Sequence, residues 1–515
     1  MAANAAPATT GMKKTLGLTG VTVNAMALIA PGAFLWITYQ IQAAQTLPGS
    51  GASTALDMFP GIVFALILAF FTALSYSELA RIYPEAGTGS CYYFAERSFL
   101  DKLNAAHHRW ARPTKLATGW AAHLFYWVYP GVMVAFMAIL VNFVLQQFGL
   151  DLGTIGQLVV AGVFSVIVGY IAVRGVTGST TTALVINVIQ LVTLVGFSIL
   201  AIAYRVLNPE GAAFVYDSAP AVVLPKDLFS VFAQSTIAIL ILVGFESATA
   251  FGAEAKNAKR DVPRAVILAL VIQGLFAYLI EYFAANYAIS DKLTGTDPKG
   301  AAISGMDAAA ASGAPIGDLI RQVGDSMLGG FGFPLAIIVA VTVALAILGT
   351  TLSAMNTGVR ITYAMAQDEE MPGLLGLLHG RFATPHFAVG VMVVVSAIIG
   401  MVGTLSVVTL TGITLASNFG TFVLYGITCL IALNAFVGRA EFSFLKHAVV
   451  PILGFLANLA MLVTIFALGF IGGGDSQTEA FIALGFAGAW LVASVIYVVL
   501  RGGPARRPVA ERTTA

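Results

Sequence analysis

The sequence predicts an all-α polytopic membrane protein of twelve transmembrane helices. They are arranged as a five-plus-five inverted repeat with broken helices one and six, plus two C-terminal helices. Three observations carry this. Of 515 residues, 58% are hydrophobic and only 10% charged, far less charge than a soluble chain carries. Apolar runs near the ~20 residues that cross a bilayer recur about twelve times. Two of those runs, the first and the sixth, are interrupted at mid-span by helix-breaking residues. Such breaks in corresponding members of two halves point to a midplane site at the interface of inverted repeats. Because five spans separate the breaks, an odd number, the halves have opposite topology.

In order, the spans are expected near 21–44, 57–79, 118–146, 155–173, 181–204 and 228–251. They continue near 262–287, 333–365, 386–403, 405–433, 448–470 and 480–500. Residues 1–20 form an N-terminal tail, 21–205 the first repeat, 228–434 the second, 447–500 the final helix pair, and 501–515 a C-terminal tail. No cleavage-type pattern follows the first apolar run, so it reads as a retained span and not a signal peptide. If the amino terminus is cytoplasmic, only Arg205, Lys226, Lys292, Lys299 and Arg321 of the 26 basic residues fall outside, leaving 21 inside. That asymmetry satisfies the positive-inside rule and places both termini in the cytoplasm, in a multi-pass protein of the cytoplasmic membrane.

The interruptions differ in chemistry. In span one, Ala27-Leu28-Ile29-Ala30-Pro31-Gly32-Ala33-Phe34 combines a residue lacking an N–H with one that tolerates irregular backbone. A simple proline kink is the alternative. In span six, Gly244-Phe245-Glu246-Ser247 sets a helix breaker beside a carboxylate, and the run then ends in a charged loop, 254–264. An intramembrane carboxylate costs roughly 2.5 kcal/mol or more on insertion scales, so it faces a cavity or a partner. A mild kink with a hydrogen-bonded acid is the alternative there. Net charge of +1 argues against a nucleic-acid partner, and Cys91, Cys429 and six scattered histidines show neither a disulfide framework nor metal-ligand spacing. No cofactor is implied.

Three segments carry a family resemblance: Tyr83-Pro84-Glu85-Ala86-Gly87 after span two; Gly244-Phe245-Glu246-Ser247 with Lys256-Asn257, Arg260 and Pro263-Arg264; and Arg360-Ile361-Thr362-Tyr363-Ala364-Met365-Ala366 with Asp368 and Pro372. In this order and at these spans they resemble the amino acid–polyamine–organocation superfamily, over the first ten spans. The resemblance implies a LeuT-type fold, with solute bound between the broken helices. Half-helix ends there offer carbonyls to an ammonium or metal cation and N–H groups to a carboxylate.

Implied substrate-binding residues are Ala27, Ile29, Ala30, Pro31, Gly32 and Ala33 of span one, and Gly244, Phe245, Glu246 and Ser247 of span six. Tyr126 and Tyr129, with His123 and Trp127, are candidate pocket walls from span three, although aromatic clusters also serve as packing. Glu246 matches the glutamate that takes part in proton-linked exchange in the arginine/agmatine antiporter branch. Pro31 departs from the usual Gly-Ser-Gly and removes one N–H from the anion site, which favours a decarboxylated amine. Gln190 falls where proton-coupled relatives carry lysine. Thr350, Thr351 and Ser353 fall near the hydroxyls that hold sodium in sodium-coupled members, or bond back to their own helix. Glu281 reads as a second intramembrane acid or as one solvated near the outer boundary, and Asn418 to Thr421 resemble a gating segment by position.

These readings lead to a secondary transporter of an amino acid or biogenic amine, coupled to protons or working by exchange. The alternatives are a dedicated polyamine importer and a sodium symporter. An enzyme would need a nucleophile–base or metal constellation, and a channel would need rings of pore-lining groups; neither pattern is visible. The topology is directly testable. Single cysteines replacing Arg109 and Lys299 should label from opposite faces of sealed membranes, Lys299 from outside; same-side labelling would refute the span assignment.

Overall fold

A computed structural model describes residues 14–30, 34–47, 49–84, 90–102, 104–174, 180–252, 254–297, 299–382 and 384–501. Among them, eleven helical stretches are long and apolar enough to cross a membrane: Ala55–Ile82, Ala106–Gln146, Gly153–Arg174, Ala183–Leu207, Leu228–Phe251, Ala258–Ala288, Gly332–Gln367, His386–Gly403, Val407–Phe436, Leu445–Phe470 and Gly474–Arg501. They are spans two to twelve in sequence order. The first segment is not one helix but two short ones, Leu18–Ile29 and Leu35–Ala43. Pro31, Gly32 and Ala33 lie outside the described residues. Ala30, the last described residue before them, already has φ of 47°, so the first helix has ended there.

Burial separates the centre of the bundle from its rim. The most apolar window of span six is 83% buried and that of span twelve 17%, so the interrupted span is central and the last one faces lipid. Span three is the hub, packing against spans eight, nine and ten. Small residues allow the close approach that helices in lipid need. A methyl at Gly131 would lie 2.5 Å from Ile399, and one at Gly420 2.7 Å from the backbone of Phe125.

Two expectations need correction. The charged stretch after span six is a loop only at its start. From Ala258 it is helix, with Asp261 in the first turn, where a carboxylate favours the N-terminus. Glu281 is not solvated at an outer boundary: it is 2% exposed, inside a helix whose buried face also carries Tyr278 and Tyr282. The long connection at 290–332 has secondary structure of its own among its described residues. It forms an antiparallel hairpin, Thr294–Thr296 with Ala302–Ser304, then helices Gly305–Ala311 and Pro315–Met327, both packed on Leu35–Ala43.

At the end that the charge asymmetry places in the cytoplasm, a helix at Ser90–Leu100 crosses the bundle. Lys115 of span three is 2% exposed and sits 2.9 Å from Glu96 of that helix and 3.1 Å from Asp368, which follows span eight. Tyr92 donates to the same Asp368 oxygen at 2.9 Å, and Arg112 grips Glu370 with two nitrogens at 2.8 and 3.1 Å. Removing one member of such a buried group strands the others. Lys115→Met should therefore destabilise the purified protein by about 3–5 kcal/mol, read as a lowered thermal midpoint. The triple change Lys115→Met, Glu96→Gln, Asp368→Asn should recover most of that loss. A Lys115→Met midpoint equal to the parent's would show that the pairs contribute nothing.

Candidate functional site

Span six is helical over Leu228–Ala238, tightens into a 3₁₀ turn at Ile239–Ile241, and resumes as 3₁₀ helix over Phe245–Phe251. Between them Gly244 has φ of 131°, a conformation open to glycine alone. A Cβ there would lie 2.9 Å from Ile29 and 3.0 Å from Leu28, so the break in span six lies directly against the end of the first helix. Glycine is required twice, by the turn and by the contact.

Glu246 lies just past this turn and is 3% exposed. One carboxylate oxygen accepts from the Tyr126 hydroxyl at 2.8 Å. The other accepts from the Tyr425 hydroxyl at 2.8 Å and from the Gly244 N–H at 2.9 Å. Hydrogen bonds to a charged group contribute about 1.5–3 kcal/mol each, so this cage offsets much of the cost of burial. All three donors are neutral. Among the described residues, no lysine, arginine or histidine forms an ion pair with Glu246. The Ser247 hydroxyl donates to the Gly244 carbonyl at 2.6 Å, and Thr249 to the Glu246 carbonyl at 2.6 Å. Phe245 packs edge-on against Tyr76 and tilted against Tyr425.

The carbonyls at the end of the first helix are not free. Tyr278 donates to Ile29 at 3.0 Å and to Ala30 at 2.6 Å, Gln273 to Met26 at 2.7 Å, and Thr350 to Ala27 at 2.9 Å. Met26 also accepts from the Ala30 N–H at 3.0 Å and is full, whereas at Ala27, Ile29 and Ala30 a second lone pair leaves room for a further donor. In span six, Asn418 donates to the Thr236 carbonyl at 2.7 Å, which gives the segment noted by position a defined bond.

The four aromatic candidates of span three divide by helix face. Tyr126 holds Glu246. Tyr129 is buried with its hydroxyl unpartnered. His123 and Trp127 turn away: both reach the Thr362 hydroxyl, at 2.9 and 3.3 Å, and both contact Trp490, His123 edge-on and Trp127 tilted. Of the coupling candidates, Thr350 bonds to span one while Thr351 bonds back to its own Ile347 carbonyl at 2.6 Å. Ser353 is half-buried on the same helix. Gln190 is 1% exposed with its Oε1 unpartnered, one turn from Asn187, which donates to the Val23 carbonyl at 3.2 Å.

Sequence reasoning missed Tyr425, Tyr278 and Gln273. Tyr425 belongs to a polar stripe in an otherwise apolar span, Asn418, Thr421, Tyr425 and Thr428, whose spacing marks one helix face. Gln273 and Tyr278 are five apart and would diverge on an α-helix. A π-helical segment at Val271–Tyr278, with its i→i+5 pattern, brings both onto span one.

An all-α bundle whose interrupted span buries a caged carboxylate against the end of a second broken segment defines a multi-pass membrane permease. The chain belongs to the amino acid permease family, whose model matches residues 21–501. It is 23% identical over 375 residues to the low-affinity putrescine importer PlaP of Escherichia coli (strain K12), covering 73% of this chain and 72% of that protein. It is 26% identical over 444 residues to the branched-chain amino acid permease BcaP of Lactococcus lactis subsp. cremoris (strain MG1363), covering 80% and 83%. It is 24% identical over 399 residues to the methylthioribose transporter of Bacillus subtilis (strain 168), covering 74% and 76%.

The contact at the break can be tested. Gly244→Ala should abolish uptake while leaving membrane insertion and yield intact, whereas Gly485→Ala, whose Cβ would meet nothing within 4 Å, should transport normally. Parental uptake by Gly244→Ala would show that the break tolerates displacement.

Proposed function

We propose that this permease carries an amino acid or biogenic amine across the cytoplasmic membrane by alternating access, with Glu246 receiving the substrate's ammonium group. One observation supports this above the rest: a carboxylate buried where the break of span six meets the end of the first helix has three neutral donors and no ion-pair partner among the described residues. The compensating charge then comes from outside the protein, as an ammonium or a proton. The capped carbonyls of Ile29 and Ala30, the unpartnered Tyr129 hydroxyl and the faces of Phe245 and Tyr425 supply further polar and aromatic partners suited to an ammonium-bearing solute. The relatives' names, a putrescine importer and a branched-chain amino acid permease, fit a substrate bearing an amine.

Proton coupling through Glu246 is the preferred drive. A proton and an ammonium competing for one carboxylate link substrate binding to proton release. Sodium coupling is the second reading. Against it, Thr351 is committed to its own helix and Thr350 to the Ala27 carbonyl.

Glu246→Gln should lose accumulation against a gradient and flatten the pH profile of whatever transport remains. Tyr425→Phe, which removes one donor from the carboxylate with or without substrate, should shift the pH profile of uptake. Both can be read in proteoliposomes, where replacing sodium by choline should leave uptake unchanged. Parental rate and pH profile in Glu246→Gln would make the residue structural, and a strict sodium requirement would move coupling to Thr350, Thr351 and Ser353.

A further inference from the structure

A second site lies outside the bundle, away from Glu246. A groove of about 640 Å³ runs between span twelve and the edges of spans three, ten and eleven. Its walls are bulky and apolar: Trp120, Leu124, Phe419, Phe466, Trp490 and Leu491 are representative. The one hydroxyl in its lining, on Ser494, is spent on the Trp490 carbonyl at 2.6 Å. Along span twelve the groove extends from Leu484 to Val499, which at 1.5 Å per residue is about 22 Å of a ~30 Å hydrocarbon layer.

Both the position and the walls select the occupant. The groove opens between membrane-spanning helices, where the surrounding medium is lipid. A helix from another chain would seat on small residues that let backbones approach. The small residues that line the groove, Ala117 and Ala121 on span three and Ala487 and Gly488 on span twelve, alternate with Trp120, Leu124, Trp490 and Leu491, so they form no uninterrupted small face. Large side chains flanking a narrow slot suit a flexible acyl chain instead.

Charge marks one end. The groove terminates at Pro113 and Val499, and the flanking residues there are Arg109, Trp110, Arg112 and Arg501. Arg112 is paired with Glu370, and Arg501 lies 3.9 Å from Glu369. Arg109 has no carboxylate partner among the described residues; it is exposed and rests over the ring of Trp110, itself 51% exposed. An exposed tryptophan beside a free arginine, one turn before the apolar wall begins, is the composition of a headgroup-level anchor. We propose that this groove is a binding site for an anionic phospholipid of the surrounding bilayer. One acyl chain lies along span twelve and the phosphate sits at Arg109. The site stands apart from the transport reading.

The test uses the purified full-length chain, delipidated in detergent and titrated with phosphatidylglycerol or phosphatidylcholine under native mass spectrometry. The parent should hold one phosphatidylglycerol per chain with saturable affinity. Gly488 lines the groove and a Cβ there meets nothing within 4 Å, so Gly488→Phe starts its side chain in open space and puts a ring into the slot. That variant should lose the saturable lipid, and acyl-brominated phosphatidylglycerol should quench its tryptophan fluorescence less than it quenches the parent's. Arg109→Gln should keep the site but narrow the preference for phosphatidylglycerol over phosphatidylcholine by about fivefold. Equal retention by Gly488→Phe, or the absence of a saturable lipid in the parent, would overturn the proposal. So would a dimer that Gly488→Phe dissociates, since the occupant would then be a second copy.

Discussion

The rest of the structure depends on keeping a carboxylate inside the membrane with no ion-pair partner among the described residues. Glu246 is tolerated because three separate elements each deliver a neutral donor: Tyr126 from span three, Tyr425 from span ten, and the Gly244 N–H from the break itself. Each donor fixes a constraint elsewhere. Gly244 must adopt φ of 131°, and the end of the first helix must lie against it. Span three must present Tyr126 inward, which turns Trp127 and His123 outward to Thr362 and Trp490. Span ten must present Tyr425, which packs edge-on against Tyr76 and tilted against Phe245. The carboxylate therefore ties spans two, three, six and ten to one geometry, and a change in its charge or partner is felt in all of them.

The second constraint is backbone. Within a bilayer an unpaired carbonyl has no water to turn to, so a broken helix survives only where neighbours complete it. Spans five, seven and eight supply those bonds to the first helix through Asn187, Gln273, Tyr278 and Thr350. Span ten does the same for span six through Asn418. The caps are side chains and not further helix, so they hold the breaks without making them continuous. An alternating-access carrier has the same need, half-helices that stay satisfied while remaining separable from their other halves.

What the sequence made legible follows from the range of each signal. The break at Gly244-Phe245-Glu246 was readable because breaker and acid are adjacent. His386–Gly403 agrees with its expected bounds, since Pro385 and Gly403 punctuate it. The break in span one was readable as chemistry, yet hydropathy runs through it, so it counted as one span where the structure has two short helices. The charges after Ala258 suggested a loop because charge density was weighed above the amphipathic pattern that makes them a helix start. Gln273 and Tyr278 were illegible for a geometric reason: an α-helical period separates them, and only the π segment brings them together. Glu281 could not be placed because hydropathy gives depth poorly and facing not at all.

Span three shows why the site and its support are one object. Helical periodicity sorts its residues into faces with different duties: Tyr126 and Tyr129 inward, and Trp120, Ala121 and Leu124 along the lipid-side groove. At its basic end, Lys115 locks it to Glu96 and Asp368. Trp490 of span twelve donates to the Trp120 carbonyl at 3.0 Å, so the C-terminal pair, which supplies no partner to Glu246, nonetheless braces the helix that does. At the other end, Gln45 after the second half of span one donates to Glu479 of span twelve at 2.5 Å, and Thr46 bonds to Ser476 at 2.9 Å. The last helix thus touches both the hub and the outer half of the broken segment. One face of it is held against spans ten and eleven and the hub, while the opposite face is open to lipid. That arrangement restrains where span three and span one sit without filling the space between them.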